Sequence, residues 1–552
     1  MNKNVLKATV ILGLIFLMGL FLRLYRLNLN TPPLYADETG QFYNYYVAKN
    51  HIWGLLNTVK FSALSFTWIF GLVPLGVRLP SAIYGSMICL AFFLFCFITS
   101  KKNISIALVG ALSVVLLPWS FMISRIGHAS IPLIVIFTCL HLYFFLTEKN
   151  VISYIVSICF LLLATYIYPS LLFILPFALL LAWWEIFRLI PSKSQNIYIV
   201  ISVLLSAFIG IYFSVHYNIF GIGGRGLDLA IWRDVNTPFQ IDKYRALSWN
   251  SPPSLFSFNL PPEQLANKLV YNRAMANITT FTHNYLSFFS PDWLFLKGDA
   301  ILRHSTGQVG TFFPFLLPFM LYGAFIFFKT ADKKTRRIFM IWILASPIPA
   351  AITKDGAGYL LRVVTMLPFL TYFCALGIVE SFNLIKKNWR IPYGVLVAII
   401  GLYSAYYFFY GYFYVYTSLS ARSYEYGFKE LSDFQVANNN APMLVIWDGY
   451  YHNNDFRFWQ NTPFDQYEAF KLKQTRIGES EFNQTFPNLD FVNPQSTEDI
   501  EEFLKQNTVS FVVLPDRYFV KYPIELGQDL GTPSAVIKYP DQTPALTIYS
   551  VK

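Results

Sequence analysis

The sequence predicts a polytopic α-helical membrane protein with about eleven transmembrane helices, followed by a small α/β domain outside the membrane. Of its 552 residues, 55% are hydrophobic, 18% aromatic and only 13% charged, and the mean hydropathy is +0.44. This balance is too apolar for a soluble chain of such length. The net charge is +11, but the basic residues fall in short clusters between apolar segments. We therefore expect a lipid bilayer as the surroundings and no nucleic-acid partner.

The transmembrane helices are predicted from segments that are apolar over roughly 20 residues, the length that crosses a bilayer. The eleven segments are 6–24, 78–99, 104–123, 129–147, 151–168, 170–188, 197–217, 311–328, 337–353, 358–380 and 392–416. With this count every basic cluster falls on one side, which the positive-inside rule makes the cytoplasm. The clusters are Lys3 with Lys7, Lys101 with Lys102, Lys149, Arg188 with Lys193, 329–337, and Lys386, Lys387 and Arg390.

This topology predicts a plasma-membrane protein whose N-terminus is cytoplasmic. Its first loop, its long loop and everything after residue 416 then lie outside the cytoplasm. The loops 27–77 and 218–310 mix aromatic and polar residues, so we predict interfacial helices in both, one of them near 262–280. A further span near 61–77 is the alternative, but it would invert every later loop and place half of the basic clusters on the wrong side.

The chain divides in the sequence into a membrane domain, 1–416, and an extracytoplasmic domain, 417–552, where the composition becomes polar. Helical periodicity predicts helices near 422–437 and 497–505. Alternating or β-branched runs predict strands at 443–447, 509–514 and 545–551. The domain carries no recognisable catalytic motif, so its role is left open.

An acidic pair, Asp37 and Glu38, follows the first apolar helix and is the candidate active site. One alternative is that the two acids start an amphipathic helix, because carboxylates are favourable near a helix N-terminus. A membrane protein rarely places two carboxylates beside an apolar helix without using them. We therefore assign both to catalysis.

The residues around this pair resemble the first helix and first external loop of GT-C glycosyltransferases. The likeness is to the protein O-mannosyltransferase and aminoarabinose-transferase-like group, and it covers roughly 1–416. It is carried by 21–27 (FLRLYRL) with Pro33 and the acidic pair, 77–82 (VRLPSA), 124–127 (SRIG), 294–299 (LFLKGD) and 347–362. The fold class that the resemblance implies is a GT-C type membrane domain.

The resemblance also implies an activity, the transfer of a sugar from a polyprenyl-phosphate donor to an acceptor outside the cytoplasm. Asp37 then corresponds to the family's proposed general base, with Glu38 beside it. A positioned carboxylate that removes the acceptor's proton contributes about 10² to 10⁴ in rate. A single displacement inverts the anomeric carbon and needs one essential carboxylate, because a phosphate leaves without being protonated.

The donor phosphate needs positive charge, and the outer helix ends supply it. Arginine suits this role because its planar fork holds two phosphate oxygens. The alternative for each arginine is an interfacial residue that reaches lipid head groups. The predicted phosphate-binding residues are Arg78, Arg125, Arg303, His304 and Arg362. The predicted substrate-binding residues are Tyr35, His128 and Lys354, and Arg23 is a candidate partner of the acidic loop.

The sequence calls for no cofactor. The five cysteines lie inside apolar stretches without CxxC spacing, so they predict neither disulfides nor a zinc site. A divalent metal is compatible with the sequence but has no support in it.

Two other functions compete with the transferase. A transporter or flippase of lipid-linked sugars would place charges near the bilayer midplane and show internal repeats, whereas these charges gather on one face. A structural protein of the cell envelope would leave the acidic loop without a role. The acceptor, whether protein, glycan or lipid, and the sugar stay open. The loop 218–310 is too short for the extra modules of eukaryotic O-mannosyltransferases.

Overall fold

The computed structural model describes residues 3–28, 34–35, 38–40, 65–147, 150–191, 194–216, 229–249, 269–447, 453–462, 473–515 and 530–551. The chain forms two compact units. The first consists of Met1–Arg23, Ile83–Ser124 and Ser130–Phe408. The second consists of Leu24–Ala82, Arg125–Ala129 and Phe409–Lys552, so it contains the predicted first external loop as well as the C-terminal domain.

Helices make up most of the described chain before the C-terminal domain. In chain order they are α1 (Lys3–Leu24), α2 (Thr67–Phe70), α3 (Pro74–Thr99), α4 (Ile104–Leu116), α5 (Pro118–Ile123), α6 (Ser130–Leu146), α7 (Val151–Ile167), α8 (Leu175–Phe187), α9 (Gln195–His216), α10 (Asn236–Trp249), α11 (Arg273–Ser287), α12 (Leu317–Thr330), α13 (Lys333–Ala345), α14 (Ile348–Ala351), α15 (Leu367–Leu384), α16 (Arg390–Tyr410) and α17 (Tyr416–Ser420). A π-helical turn, Gly411–Val415, joins the last two.

Several of these helices are apolar enough to lie in a bilayer, and the protein is a multi-pass membrane protein. Within the described residues, five are also long enough to cross it, namely Val5–Leu24, Pro74–Thr99, Gln195–Phe213, Leu360–Leu384 and Lys387–Tyr424. Five shorter apolar helices are Ile104–Leu116, Ser130–Leu146, Val151–Ile167, Leu175–Phe187 and Pro314–Thr330. Each coincides with a predicted segment, but the count of eleven spans is not confirmed.

The predicted span 337–353 is the one that differs most. Its helix, α13, begins earlier, inside the basic cluster, because the Asp332 side chain accepts a hydrogen bond from the Thr335 amide at 3.0 Å and caps the N-terminus. It ends at Ala345, shortly before Pro347 and Pro349, and the short helix α14 follows. The result is two helical pieces in place of one span.

The interfacial helices predicted in the external loops are seen only in part. Most of 39–75 lies outside the described residues, which there include the short helix α2. In the long loop, residues 262–268 of the predicted helix near 262–280 lie outside the described residues, and α11 begins at Arg273, where Asn272 caps it by accepting from the Met275 amide at 2.9 Å. Helix α10 in the same loop was not predicted.

Helices α12 and α15 pack backbone to backbone in the first unit. A Cβ atom on Gly377 would lie 1.9 Å from the Phe319 carbonyl oxygen, and one on Gly323 would lie 1.9 Å from the Phe373 carbonyl oxygen. Membrane helices lack a strong hydrophobic drive to associate, so small residues that allow close approach stabilise them through packing. These glycines therefore fix the contact between the two helices.

Within the described residues, the C-terminal domain is built on a seven-stranded mixed sheet. Its strands are β1 (Met443–Ile446), β2 (Lys473–Ile477), β3 (Ser480–Phe486), β4 (Leu489–Asn493), β5 (Phe511–Pro515), β6 (Ala535–Lys538) and β7 (Pro544–Ser550). The order is β2-β3-β4-β1-β5-β7-β6. The central strand β1 pairs in parallel with β4 and β5, and the outer pairs are antiparallel. The predicted C-terminal sheet domain is thus present.

Apolar cores lie on both faces of this sheet. Because successive side chains of a strand point to opposite faces, β1 contributes to both cores. Val445 faces a core with Phe428 and Leu431 of helix α18 (Phe428–Ala437). Helix α19 (Asn453–Trp459) adds Phe456 to that core. On the other face, Leu444 packs with Phe503 of helix α20 (Thr497–Gln506).

We predict that Gly377→Ala destabilises the protein, because its methyl group would overlap the Phe319 carbonyl and push α12 and α15 apart. Gly210→Ala is the matched control, since a Cβ there meets nothing within 4 Å and alanine favours a helix by about 1 kcal/mol over glycine. Thermal unfolding in detergent should show a lower melting temperature for Gly377→Ala only. Equal melting of the two variants would contradict the close packing.

Candidate functional site

The acidic loop is folded by a local turn. The amides of Glu38 and Thr39 donate to the Tyr35 carbonyl at 2.8 and 3.1 Å, which starts a short helical stretch at 38–40. Asp37, the predicted base, lies outside the described residues. Its described neighbours Tyr35 and Glu38 are almost fully buried, with exposed fractions of 3% and 0%.

The Glu38 carboxylate is paired with Arg78 in a two-point contact. Arg78 Nε donates to Oε1 at 2.9 Å, and Nη2 donates to Oε2 at 2.7 Å. Two amides complete the set, that of Gly127 to Oε1 at 2.6 Å and that of Tyr35 to Oε2 at 3.4 Å. A carboxylate has about four lone-pair positions. The four hydrogen bonds that Glu38 accepts therefore match its lone-pair positions.

Gly127 lies so close to this pair that no side chain fits. A Cβ atom there would lie 2.6 Å from Val77 Cγ1 and 2.9 Å from Glu38 Oε1. Real Cβ atoms do not approach other atoms so closely, so the glycine lets the 125–129 turn reach the carboxylate. This gives a structural reason for the glycine in the motif at 124–127.

Aromatic rings enclose the ion pair. Tyr424 stands edge-on to Tyr35 with a centroid distance of 5.6 Å, and the Arg78 guanidinium carbon lies 5.8 Å from the Tyr424 centroid. The Tyr35 hydroxyl is hydrogen-bonded to His128 Nε2. The structure thus brings together Tyr35, Glu38, Arg78 and His128 from the predicted site, and adds Tyr424.

Arg125 is also buried, but its contacts are different. Its Nε donates to the Tyr412 hydroxyl at 2.9 Å, and its Nη atoms donate to the carbonyls of Tyr25 and Arg26 at 2.8 and 3.1 Å. The guanidinium also lies over the Tyr412 and Phe413 rings, at 5.1 and 5.4 Å. Arg125 thereby joins Tyr25 and Arg26, which follow α1, to the π-helical turn Gly411–Val415.

The first unit contains a second polar group, around Asp299. His304 Nδ1 donates to Asp299 Oδ2 at 2.9 Å, and the Leu360 amide donates to the same oxygen at 2.9 Å. The His304 ring also stands edge-on to Tyr359, with centroids 5.2 Å apart. Asp299 therefore fixes the orientation of the predicted residue His304 and ties its loop to the start of the 360–384 span.

Arg362 belongs to the same group and is held by Asp355. Two of its nitrogens donate to the Asp355 carboxylate at 2.8 and 3.1 Å, and its guanidinium lies 4.2 Å from the Tyr359 centroid. Burial would raise the pKa of Asp355, but the hydrogen bonds and charge of Arg362 outweigh it, so the pKa lies below its usual value. Lys354 is exposed beside this pair.

Other predicted residues are placed differently. Arg23 donates to the Gly19 and Val115 carbonyls at 3.3 Å and to Ser120 Oγ at 3.0 Å within the first unit. Arg303 is half-buried. No group of three or more His, Cys, Asp or Glu side chains suited to a metal ion occurs in the described ranges.

Sequence reasoning missed Tyr424 and Tyr412, because nothing distinguishes them among the 36 tyrosines of the chain. It noted Asp299 as part of a motif but gave it no role. The position of Asp299, five residues before His304, was the sequence signal that could have predicted their contact.

We predict that Glu38→Gln destabilises the protein by about 3 to 5 kcal/mol, because it leaves the buried Arg78 charge uncompensated. Replacing both partners, as in Glu38→Gln with Arg78→Met, should recover much of the loss, since no buried charge remains. Thermal unfolding in detergent measures both effects. Wild-type melting of the single variant would contradict a buried, charged pair.

The comparisons with known proteins find likeness in structure only. A scan of protein-family models finds no match, and a search of curated proteins finds none either. An oligosaccharyltransferase from Archaeoglobus fulgidus, solved in complex with Zn and sulfate, matches with a TM-score of 0.49 and 14% identity, over 97% of this chain and 72% of that chain.

Two structures of ArnT from Cupriavidus metallidurans also match, each with a TM-score of 0.44. The form bound to undecaprenyl phosphate is 10% identical, over 99% of this chain and 97% of that chain. The apo form is 11% identical, over 99% and 98%. Likeness at these TM-scores and identities does not identify the function of this chain.

Proposed function

We propose that this protein is an inverting glycosyltransferase that moves a sugar from a polyprenyl-phosphate donor to an acceptor hydroxyl on the outer face of the membrane. The acceptor belongs to a protein, a glycan or a lipid. The observation that carries the proposal is the buried ion pair between Glu38, in the acidic loop, and Arg78, each of which lies in a motif that resembles those of GT-C enzymes. No cofactor takes part in the proposed reaction.

The contacts of Glu38 assign different roles to the two acids. Glu38 already accepts four hydrogen bonds and is fully buried, so it is suited to position the loop. The role of general base then falls to Asp37. Asp37 takes the proton of the acceptor hydroxyl as its oxygen bonds to the anomeric carbon. The bond from that carbon to the phosphate oxygen breaks, and the polyprenyl phosphate leaves as an anion.

The residues proposed for the donor phosphate divide in the same way. Arg78 donates hydrogen bonds to Glu38, and Arg125 donates one to Tyr412. These contacts favour a positioning role for both arginines. Arg303, His304 and Arg362 are proposed as phosphate-binding residues, supported by the grouping of His304 and Arg362 around Tyr359. Tyr35, His128 and Lys354 are proposed to contact substrate.

We predict that Asp37→Asn lowers sugar transfer by about 10² or more, because the amide cannot accept the proton. Its melting temperature should equal that of the wild type, in contrast to Glu38→Gln. Radiolabelled polyprenyl-phosphate sugars, supplied to the purified protein, measure release of label from the lipid. Asp433→Asn, at an exposed carboxylate paired with Lys429, is the control.

Near-normal turnover by Asp37→Asn would contradict the base assignment. If the wild type binds a donor but releases no label from any, the transporter of lipid-linked sugars becomes the better explanation.

We predict that the N-terminus is cytoplasmic and the C-terminal domain is extracytoplasmic. In a background without the five native cysteines, Glu498→Cys should react with an impermeant maleimide in intact cells. Lys333→Cys, exposed at the start of α13, should react only after permeabilisation. The reverse labelling would overturn the orientation.

A further inference from the structure

The C-terminal domain contacts the acidic loop directly, within the second unit. We propose that Tyr424 and Phe458 are positioning residues through which this domain holds the acidic loop in its working geometry. This inference rests on the proposed function for its consequence in catalysis. It gives the domain a role that its own sequence, without a catalytic motif, does not reveal.

The first contact is made by Tyr424, where the last helical segment ends. Its ring is fully buried, edge-on to Tyr35 and beneath the Arg78 guanidinium. Its hydroxyl lies 3.3 Å from that of Tyr416, whose ring stacks on Tyr412 at 4.9 Å. Because these rings lie in the segment that leads into the domain, a shift of this segment also moves the support of Tyr35 and Arg78.

The second contact is made by Phe458 of α19. Its side chain, 1% exposed, is buried in a cluster with Leu34 and Val77, the residues immediately before Tyr35 and Arg78. Val77 also lies against Gly127, whose amide donates to Glu38. Phe458 is therefore connected to the Glu38 carboxylate through Val77 and Gly127.

Helix α19 links this cluster to the domain core. Phe456, two residues before Phe458, packs with Phe428 and Trp447 in the core of the sheet. Residues two apart on a helix point in nearly opposite directions, since each residue turns it by about 100°. One face of α19 therefore belongs to the sheet core, and the other belongs to the acidic loop.

A catalytic loop needs such support because misplacement by about 1 Å can cost about 10²-fold in rate. The Glu38 carboxylate is held by groups from three separate stretches, 35–38, Arg78 and Gly127. From the side of the C-terminal domain, Tyr424 contacts Tyr35 and Arg78, and Phe458 packs on Leu34 and Val77. Val77 in turn lies against Gly127. Loss of either side chain should loosen the loop without changing any group that touches substrate.

The test compares Phe458→Ala and Tyr424→Ala with two controls. Phe482→Ala removes an equally buried ring, stacked on Phe503 at 4.1 Å in the core of the opposite sheet face. It weakens the domain without touching the acidic loop. Tyr424→Phe keeps the ring and removes only the hydroxyl. Hydrogen exchange of peptides covering 34–40 and 125–129 reports on the loop and needs no substrate.

We expect Phe458→Ala and Tyr424→Ala to speed amide exchange in both peptides by about tenfold or more. They should lower kcat by about tenfold or more while the donor KM stays unchanged. Tyr424→Phe should behave like the wild type, and Phe482→Ala should leave both peptides and kcat unaltered. Should Phe458→Ala fail to fold, Phe458→Leu tests the same contact with a smaller loss of volume.

Two results would overturn the inference. One is that Phe458→Ala and Tyr424→Ala both show the same amide exchange and the same kcat as the wild type. The other is an equal effect of Phe482→Ala, which would assign the losses to domain stability alone. If the wild type transfers no sugar, the proposed function fails, whereas the exchange measurement still decides whether the domain holds the loop.

Discussion

The ion pair between Glu38 and Arg78 organises the candidate site. Burying two charges is costly, and their attraction offsets the loss of water only when the geometry is good and the remaining polar positions are satisfied. Here both conditions hold, since Arg78 makes two contacts and two amides fill the other positions of the carboxylate. The requirement explains why a glycine occupies position 127 and why Tyr35 keeps its amide turned towards Glu38.

Because this pair uses one of the two adjacent acids for structure, it also shapes the proposed chemistry. An inverting transfer from a phosphate donor needs one base, and two free carboxylates in contact would raise each other's pKa. A neighbour that is neutralised by an arginine avoids that repulsion. Arg125 serves the surroundings in a related way, by joining the Tyr25 and Arg26 carbonyls to Tyr412.

Much of the fold follows from local sequence. Apolar length places the helices, and Asn103, Asn150 and Asp332 mark helix starts by accepting hydrogen bonds from backbone amides. The buried strand β1 was predicted from its run of apolar residues. Strand β2 was not, because four of its five residues are exposed and polar, so it carries no apolar pattern.

The candidate site was predicted residue by residue but not as a network. Glu38 and Arg78 were both singled out, yet they are 40 positions apart, and their pairing depends on the tertiary fold. Phe458 was missed because it is one of 54 phenylalanines and nothing in the sequence distinguishes it from the others. Periodicity identifies a buried face but does not say which neighbour covers it.

The segment that connects the last helix to the C-terminal domain limits how the length of the chain can change there. The chain is helical from Gly411 to Tyr424, through π-, α- and 3₁₀-helical turns. It then turns sharply at Glu425 and Gly427, which have φ values of 55° and 116°, and enters α18. A helix rotates by about 100° for each residue. A single inserted or deleted residue would therefore swing Tyr424 away from Arg78, so this joint tolerates substitution better than any change in length.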